Sequence, residues 1–164
     1  RAIFLMSRKW SRRRCWMEAD TVTVIAWDGR TLAADKRATS GGGIARTVTK
    51  IERHKDCLIA ITGCWDTGAE MREWFKAGAD PAAFPAKARD DRSTLIVIDA
   101  AGINTWAIGP YPMRVEDPRC CWGSGRDYAE AAMHLGHDAR KAVEVACHFQ
   151  TDCGNGIDVL ELTP

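Results

Sequence analysis

The sequence predicts an α+β fold, a four-layer αββα sandwich in which two antiparallel sheets are stacked between layers of helices. Strands and helices are predicted in the order strands, helix pair, strands, helix pair, strand. Short turns join neighbouring strands, as in antiparallel sheets. Each sheet then needs one face covered by the other sheet and one face covered by helices. A chain of 164 residues is long enough for one such domain.

The first half of the chain opens with a hairpin. Apolar runs at 24–27 and 31–34 flank Asp28-Gly29, where glycine tolerates the positive φ of a two-residue turn. The elements predicted after it are a glycine loop at 40–43, a strand at 44–51, a polar turn at 53–56, a buried strand at 57–61, and a helix at about 65–78 that ends near Gly78.

The second half repeats the alternation of strands and helices. Two prolines indicate a short helix plus loop at 80–91, and the helix at 138–149 has one apolar face. The other predicted elements are strands at 93–99 and 103–108 joined by a turn at 100–102, short strands at 111–115 and 120–125, a helix at 127–135, and a closing strand at 157–162.

Composition excludes several classes of protein. Apolar residues make up 46% and charged residues 27% of the chain, as in ordinary globular proteins. No apolar run approaches the ~20 residues that span a bilayer, and no basic stripe accompanies the tryptophans, so neither membrane nor nucleic acid is an expected partner. Seven cysteines, an odd number, favour reduced thiols in a cytoplasmic protein. No metal site or cofactor is predicted.

Residues 1–20 differ in composition from the rest of the chain. They hold six basic and two acidic side chains, whereas residues 21–164 are slightly acidic. We interpret 1–20 as a leader that is not native or is removed, and 21–164 as the domain. Met17-Glu18-Ala19 can be encoded by a bacterial ribosome-binding sequence, and Val22 by a GTG start codon. Translation from Val22 with removal of the initiator methionine would expose Thr23.

Four short motifs carry the candidate chemistry, and they occur in a fixed order. The first hairpin starts near Thr23 and ends at Asp35 in Leu-Ala-Ala-Asp, and Lys50 opens Lys-Ile-Glu-Arg. Ser124 lies in Gly-Ser-Gly before a helix, and Asp152-Cys-Gly-Asn155-Gly156 follows the last helix. Together they resemble the proteasome-like N-terminal nucleophile (Ntn) hydrolases. The segments Trp-Asp-Gly and Leu-Ala-Ala-Asp are most similar to those of the bacterial ATP-dependent ring peptidase and of short phage-borne or prophage-borne homologues.

The resemblance implies a threonine endopeptidase. An N-terminal threonine can use its own α-amine as the base that activates its hydroxyl. By this resemblance Thr23 is the nucleophile, Asp35 and Lys50 set the electrostatics, and Ser124, Asp152 and Asn155 hold the amine. Asn155 replaces the family's second serine. Backbone N–H groups near 61–63 would stabilise the oxyanion.

Two questions stay open at the level of sequence. Thr23 precedes Asp35 by twelve residues, fewer than is usual in the family, so Thr21 is the alternative nucleophile. The alternative function is a catalytically silent assembly subunit, which a prophage could encode. The resemblance implies peptide or unfolded protein as substrate and a self-compartmentalising homo-oligomeric ring, and it allows an ATPase unfoldase as a further partner.

Overall fold

The computed structural model describes residues 20–21, 23–39 and 43–163. Within these residues the first strands are β1 (Asp20–Thr21), β2 (Val24–Trp27), β3 (Thr31–Asp35), β4 (Arg37–Thr39), β5 (Ala45–Thr47), β6 (Ile51–His54) and β7 (Cys57–Cys64). Helix α1 (Trp65–Lys76) follows β7 directly. The remaining elements are β8 (Thr94–Asp99), β9 (Gly102–Trp106), β10 (Met113–Val115), β11 (Cys120–Gly123), α2 (Arg126–His134), α3 (Ala139–Phe149) and β12 (Ile157–Glu161).

The strands form two main sheets and a separate hairpin. The larger sheet has the order β1-β7-β8-β9-β10, and β6 also pairs with β7. The smaller sheet has the order β11-β2-β3-β12, and β4 pairs with β5 alone. All these described pairs are antiparallel, as predicted.

The apolar strands bury both of their faces because the sheets stack between helices. In β2, Ile25 and Trp27 pack between the two sheets, while Val24 and Ala26 pack against α2 and α3. In β8, Ile96 packs between the sheets, whereas Leu95 and Val97 lie in the cluster that contains Met71 and Trp74 of α1. This alternation with a period of two produces the predicted αββα layers.

Several local predictions need correction. The turn of the first hairpin lies at Gly29-Arg30 and not at Asp28-Gly29, because Trp27 pairs with Leu32 and the Asp28 N–H donates to the Thr31 carbonyl oxygen at 3.2 Å. The Asp28 carboxylate accepts hydrogen bonds from the N–H groups of Arg30 and Thr31, at 3.0 and 2.8 Å. The Asp28 side chain is therefore the acceptor for the Thr31 N–H at this turn.

The strand predicted at 44–51 is also different. It is divided into β5 and β6, and the second piece runs through His54 into part of the predicted polar turn. β4, which the sequence analysis did not predict, pairs with β5 across the glycine loop. The region 80–91 contains two short 3-10 helices, Pro81–Ala83 and Ala86–Arg89.

The predicted leader lies outside the described residues, apart from Asp20. Asp20 and Thr21 form β1, which pairs with Cys64 and Gly63 at the end of β7. None of the helices among the described residues is long and apolar enough to cross a membrane.

Candidate active site

The centre of the site is the carboxylate of Asp35, the last residue of β3. Ile25 of β2 pairs with Ala34 of β3, so the start of β2 and the end of β3 lie side by side. The Thr23 hydroxyl donates a hydrogen bond to Asp35 Oδ1 at 2.9 Å, and the Val24 N–H donates to the same atom at 3.0 Å. The hairpin thus brings together two side chains that are twelve residues apart in the sequence.

Lys50 is the third member of this group. It lies in the break between β5 and β6, and its ammonium is 2.7 Å from Asp35 Oδ1. The Thr23 hydroxyl and the Lys50 ammonium therefore both donate hydrogen bonds to the same oxygen atom, Asp35 Oδ1. The side chains of Lys50 and Asp35 have no solvent exposure, and Thr23 is fully buried as well. Loss of water around this ion pair strengthens its attraction but adds a desolvation cost for both charges.

Burial also changes the acidity of Lys50. Desolvation disfavours its charged form and lowers the pKa of Lys50 below its ordinary value, although attraction and the hydrogen bond to Asp35 act in the opposite direction. A buried lysine of lowered pKa releases a proton more readily than a surface lysine does. Its charge also favours deprotonation of hydroxyl or amine groups beside it.

The second carboxylate oxygen of Asp35 accepts two main-chain hydrogen bonds. The Arg37 N–H donates to Oδ2 at 3.1 Å, and the Gly154 N–H donates to it at 3.0 Å. Two donors on one oxygen fix the orientation of the carboxylate. The sequence analysis did not select Arg37 or Gly154. The only signal for Gly154 was its place in Asp-Cys-Gly-Asn-Gly, a glycine-rich turn whose backbone can approach another group closely.

Ser124 lies next to Thr23 but not in the predicted way. The sequence predicted that its hydroxyl holds the threonine amine, whereas in the structure it donates to the Thr23 carbonyl oxygen at 3.3 Å. The Gly125 N–H donates to the same oxygen at 3.1 Å. Gly123 has a φ of 91°, and a Cβ there would lie 2.2 Å from that carbonyl oxygen. The Gly-Ser-Gly motif therefore allows the end of β11 to approach the main chain of Thr23.

Asp152 and Asn155 lie in the segment that carries Gly154, and their contacts differ from the predicted ones. Asp152 accepts a hydrogen bond from the Gln150 side chain at 3.4 Å, and Asn155 accepts one from Arg37 Nε at 3.3 Å. Among the described residues, neither side chain contacts Thr23. The main chain of this loop reaches the site instead, through Gly154.

The neighbourhood of Gly63 contains an extended chain segment. Gly63 has a φ of 93°, and a Cβ there would lie 2.3 Å from the Arg92 carbonyl oxygen, so only glycine fits. Thr21 of β1 pairs with Gly63. Thr23, one of the two candidate nucleophiles, has its hydroxyl in contact with Asp35. The Thr21 side chain lies outside the description.

Comparison with known proteins identifies the fold. No family model and no curated relative matches the sequence. The crystal structure of HslV from Trypanosoma brucei is 21% identical, covers 87% of this chain and 99% of its own, and has a TM-score of 0.64. Thiobacillus denitrificans BPH in complex with epoxomicin is 23% identical, with coverages of 87% and 100% and a TM-score of 0.63. The structure of Thiobacillus denitrificans BPH alone is 23% identical, covers 87% of this chain and 98% of its own, and has a TM-score of 0.61. The chain therefore has the fold of HslV and BPH, which confirms the predicted resemblance at the level of fold.

Proposed function

We propose that the chain is a threonine peptidase in which Thr23 is the nucleophile once it is the first residue. The observation that carries this proposal is the hydrogen bond from the Thr23 hydroxyl to the Asp35 carboxylate that also binds Lys50. The fold shared with HslV supports it, because the sequence resemblance that predicted this fold implies the same nucleophile and the same charged pair.

The reaction follows from the groups around Thr23. Its α-amine takes the hydroxyl proton while the oxygen forms a bond to the carbonyl carbon of the peptide. The peptide C–N bond then breaks, the leaving amine takes the proton, and an ester to Thr23 remains. Water hydrolyses the ester and restores the hydroxyl. In this scheme Lys50 lowers the proton affinity of the hydroxyl and amine, and Asp35 holds Lys50 and Thr23 in place.

A peptide substrate has a place to bind beside Thr23. In the present chain β1 is paired with the end of β7 at Gly63 and Cys64. An extended peptide can add to that edge in the same way, with its hydrogen bonds made by the main chain. We place the oxyanion near Gly63, within the range 61–63 implied by the resemblance.

The second candidate is a catalytically silent assembly subunit. It is favoured by one observation: Thr23 is fully buried while residues 20–21 remain paired with β7. In a chain that retains those residues, the Thr23 nitrogen belongs to a peptide bond and cannot act as a base. The two candidates differ in the state of the N-terminus and make opposite predictions for the experiment below.

We also propose that either form assembles into a homo-oligomeric ring, which an ATPase unfoldase would supply with unfolded protein. Support comes from the resemblance and from three exposed apolar side chains near β10: Ile108, Tyr111 and Met113, with exposures of 69%, 78% and 65%. Groups of exposed apolar side chains are typical of interaction surfaces. Sedimentation velocity measures the outcome, and a species heavier than the 18.1 kDa chain is expected.

The test of the peptidase proposal compares the full chain with a protein that begins at Thr23. Both are assayed on a library of short peptides that carry a fluorogenic amide leaving group, and both are treated with epoxomicin, the ligand of the BPH structure. We expect cleavage only by the protein that begins at Thr23, and we expect epoxomicin to block it. Intact mass spectrometry verifies the N-terminus in each case.

Two substitutions separate the site from general effects. In the protein that begins at Thr23, Thr23→Ala and Lys50→Met should each reduce kcat/KM by at least about a hundredfold, the usual scale for a group acting in proton transfer. Lys76→Met is the matched control, because Lys76 is also paired with a carboxylate, that of Glu52 in β6, outside the site. If the protein that begins at Thr23 folds but cleaves no peptide in the library, the peptidase proposal is wrong and the silent subunit is favoured.

A further inference from the structure

Arg37 connects β4 to the loop formed by residues 151–156, which we call the 151–156 loop. Its Nε donates to Asn155 Oδ1 at 3.3 Å, and its terminal NH1 donates to the Thr151 carbonyl oxygen. The guanidinium carbon also lies 3.6 Å from the point that a Cβ on Gly154 would occupy. One side chain therefore binds both ends of the loop and packs on its centre.

The 151–156 loop has a backbone conformation that needs such support. Gly154, Asn155 and Gly156 have φ values of 148°, 62° and 103°, three consecutive residues in the positive range. Asn155 is not a glycine, and the left-handed conformation is less favourable for it than for glycine. Local strain persists only where surrounding contacts hold it. Two further contacts come from the Lys36 N–H, which donates to the carbonyl oxygens of Gly154 and Gly156, at 2.9 and 3.1 Å.

The loop reaches the candidate active site through one N–H group. That group, on Gly154, donates to Asp35 Oδ2 at 3.0 Å, next to the bond from the Arg37 N–H. With Oδ2 fixed by two donors, the plane of the carboxylate is fixed. Oδ1 then faces the Thr23 hydroxyl and the Lys50 ammonium.

We propose that the Arg37 guanidinium is a positioning residue for the Thr23 site: it holds the 151–156 loop so that the Gly154 N–H orients the Asp35 carboxylate toward Thr23 and Lys50. The proposal rests on the proposed function for its catalytic consequence, but not for its structural one. Arg37 acts through the loop, and its guanidinium makes no described contact with Thr23, Asp35 or Lys50.

Geometry and charge can be separated because Arg37→Lys keeps the charge and loses the planar fork that reaches two acceptors. Arg37→Met keeps most of the aliphatic stem and loses both the charge and the planar fork. If Arg37 acts only as a nearby positive charge, Arg37→Lys should behave as wild type. If it acts by holding the loop, both variants should be impaired to a similar degree. The matched control is Arg46→Met, which changes an exposed arginine of β5 on the same hairpin.

The first measurement does not depend on activity. Amide hydrogen exchange is followed by NMR in the full chain, with Gly154 as the reporter and Ala26 of β2 as the internal reference. Loss of a hydrogen bond to a charged group is expected to speed exchange at Gly154 about tenfold or more in Arg37→Met and Arg37→Lys, with Ala26 unchanged. Arg46→Met should leave both amides unchanged. Wild-type exchange at Gly154 in Arg37→Met would overturn the proposal.

The second measurement uses the protein that begins at Thr23. There Arg37→Met and Arg37→Lys should lower kcat about tenfold with little change in KM, because the substrate edge at Gly63 is untouched. If the parent protein is inactive, the proposed function fails, while the exchange result still decides the positioning role. Should Arg37→Met fail to fold, Asn155→Gly replaces it. That variant keeps the left-handed backbone and removes one acceptor, so faster exchange at Gly154 is again expected, and unchanged exchange would again overturn the proposal.

Discussion

Asp35 shows how much one residue can organise. Its two oxygens accept five described hydrogen bonds, from two side chains and three main-chain N–H groups. These donors come from β2, from the segment after β3, from the β5–β6 break and from the 151–156 loop. A single carboxylate thus connects four separate parts of the chain, and its charge is the common requirement of all of them.

The first prediction concerns this carboxylate. Asp35→Asn should lower the free energy of unfolding by about 3–5 kcal/mol, because it leaves the buried Lys50 ammonium without its counter-charge. Asp158→Asn is the control. Asp158 is paired with Lys36 at 2.7 Å, but both side chains are about a quarter exposed, so the loss should be below about 1 kcal/mol. Urea denaturation measures both, and equal losses in the two variants would contradict the importance given to the buried pair.

The sequence analysis selected residues whose side chains carry the candidate chemistry. Thr23, Asp35 and Lys50 were all predicted from motifs that resemble those of the Ntn hydrolases, and the structure brings the three side chains together. The sequence analysis did not predict the contact of Ser124 with the Thr23 carbonyl oxygen, and it missed Gly154 and Arg37. Gly154 contributes a main-chain N–H, which every residue but proline has, and only the fold decides which of them points at a carboxylate. The roles of Asp152 and Asn155 stay predictions.

At the scale of elements, the site depends on how closely β11 approaches β2. Gly123 pairs with Val24 at the end of β11, and there is no room for a side chain at that point. The Gly-Ser-Gly motif was recognised from the sequence as part of a family pattern. Its physical reason, the approach to the Thr23 carbonyl, required the register of the two strands.

The second prediction compares two glycines of nearly equal backbone conformation. Gly123 and Gly136 have φ values of 91° and 95°, but a Cβ would lie 2.2 Å from the Thr23 carbonyl oxygen at the first and meet nothing within 4 Å at the second. Gly136→Ala should cost about 1–2 kcal/mol for its backbone conformation alone. Gly123→Ala should cost clearly more and should disturb Thr23.

The measurement is again urea denaturation, combined with the chemical shifts of the Thr23 and Val24 amides. Equal unfolding free energies for the two alanine variants would show that the close approach of β11 is relaxed in solution. Shifts at Thr23 that are unchanged in Gly123→Ala would lead to the same conclusion.

Element boundaries were the weaker part of the sequence-based fold prediction, for identifiable reasons. The strand predicted at 44–51 is interrupted where Lys50 turns inward to Asp35. The alternation of apolar and polar residues within 44–51 carries no information about a contact with a residue fifteen positions earlier. The turn of the first hairpin is shifted by one residue, because the Asp28 N–H pairs with the Thr31 carbonyl oxygen. The Asp28 carboxylate accepts hydrogen bonds from the Thr31 N–H and, at 2.9 Å, from the Ala139 N–H at the start of α3. The long apolar strands and the amphipathic helix α3 were predicted correctly, because the spacing of apolar residues within each element indicates which faces are buried.

At the scale of the whole molecule, the four layers share their apolar contacts. The cluster between the sheets contains side chains from both sheets, and each outer cluster joins one sheet to its helices. No layer can be removed without exposing a face of its neighbour. The fold class was predictable because this layering follows from the order of the elements.

The third prediction follows from the shared layers. A protein that begins at Thr23 should unfold in one cooperative transition and should be about as stable as the full chain, since β1 pairs with only two residues of β7. Far-ultraviolet circular dichroism reports the helices α1, α2 and α3, and tryptophan fluorescence includes the signal of Trp27 between the sheets. The two urea transitions should coincide. Separate midpoints would show that the helical layers unfold independently of the sheets.

The short pairing of β1 has a consequence for the behaviour of such a protein in solution. Without β1, the edge of β7 next to β6 would be open from Thr62 to Cys64 among the described residues, because β6 covers β7 from Cys57 to Ala60 and the Ile61 N–H donates to the Lys50 carbonyl oxygen at 3.3 Å. Open sheet edges promote aggregation when they are long and flat. An edge of three residues, with a glycine of positive φ at its centre, is a poor template for sheet growth from one molecule to the next. A protein that begins at Thr23 should therefore stay free of amyloid-like assembly at the high concentrations that structural work requires.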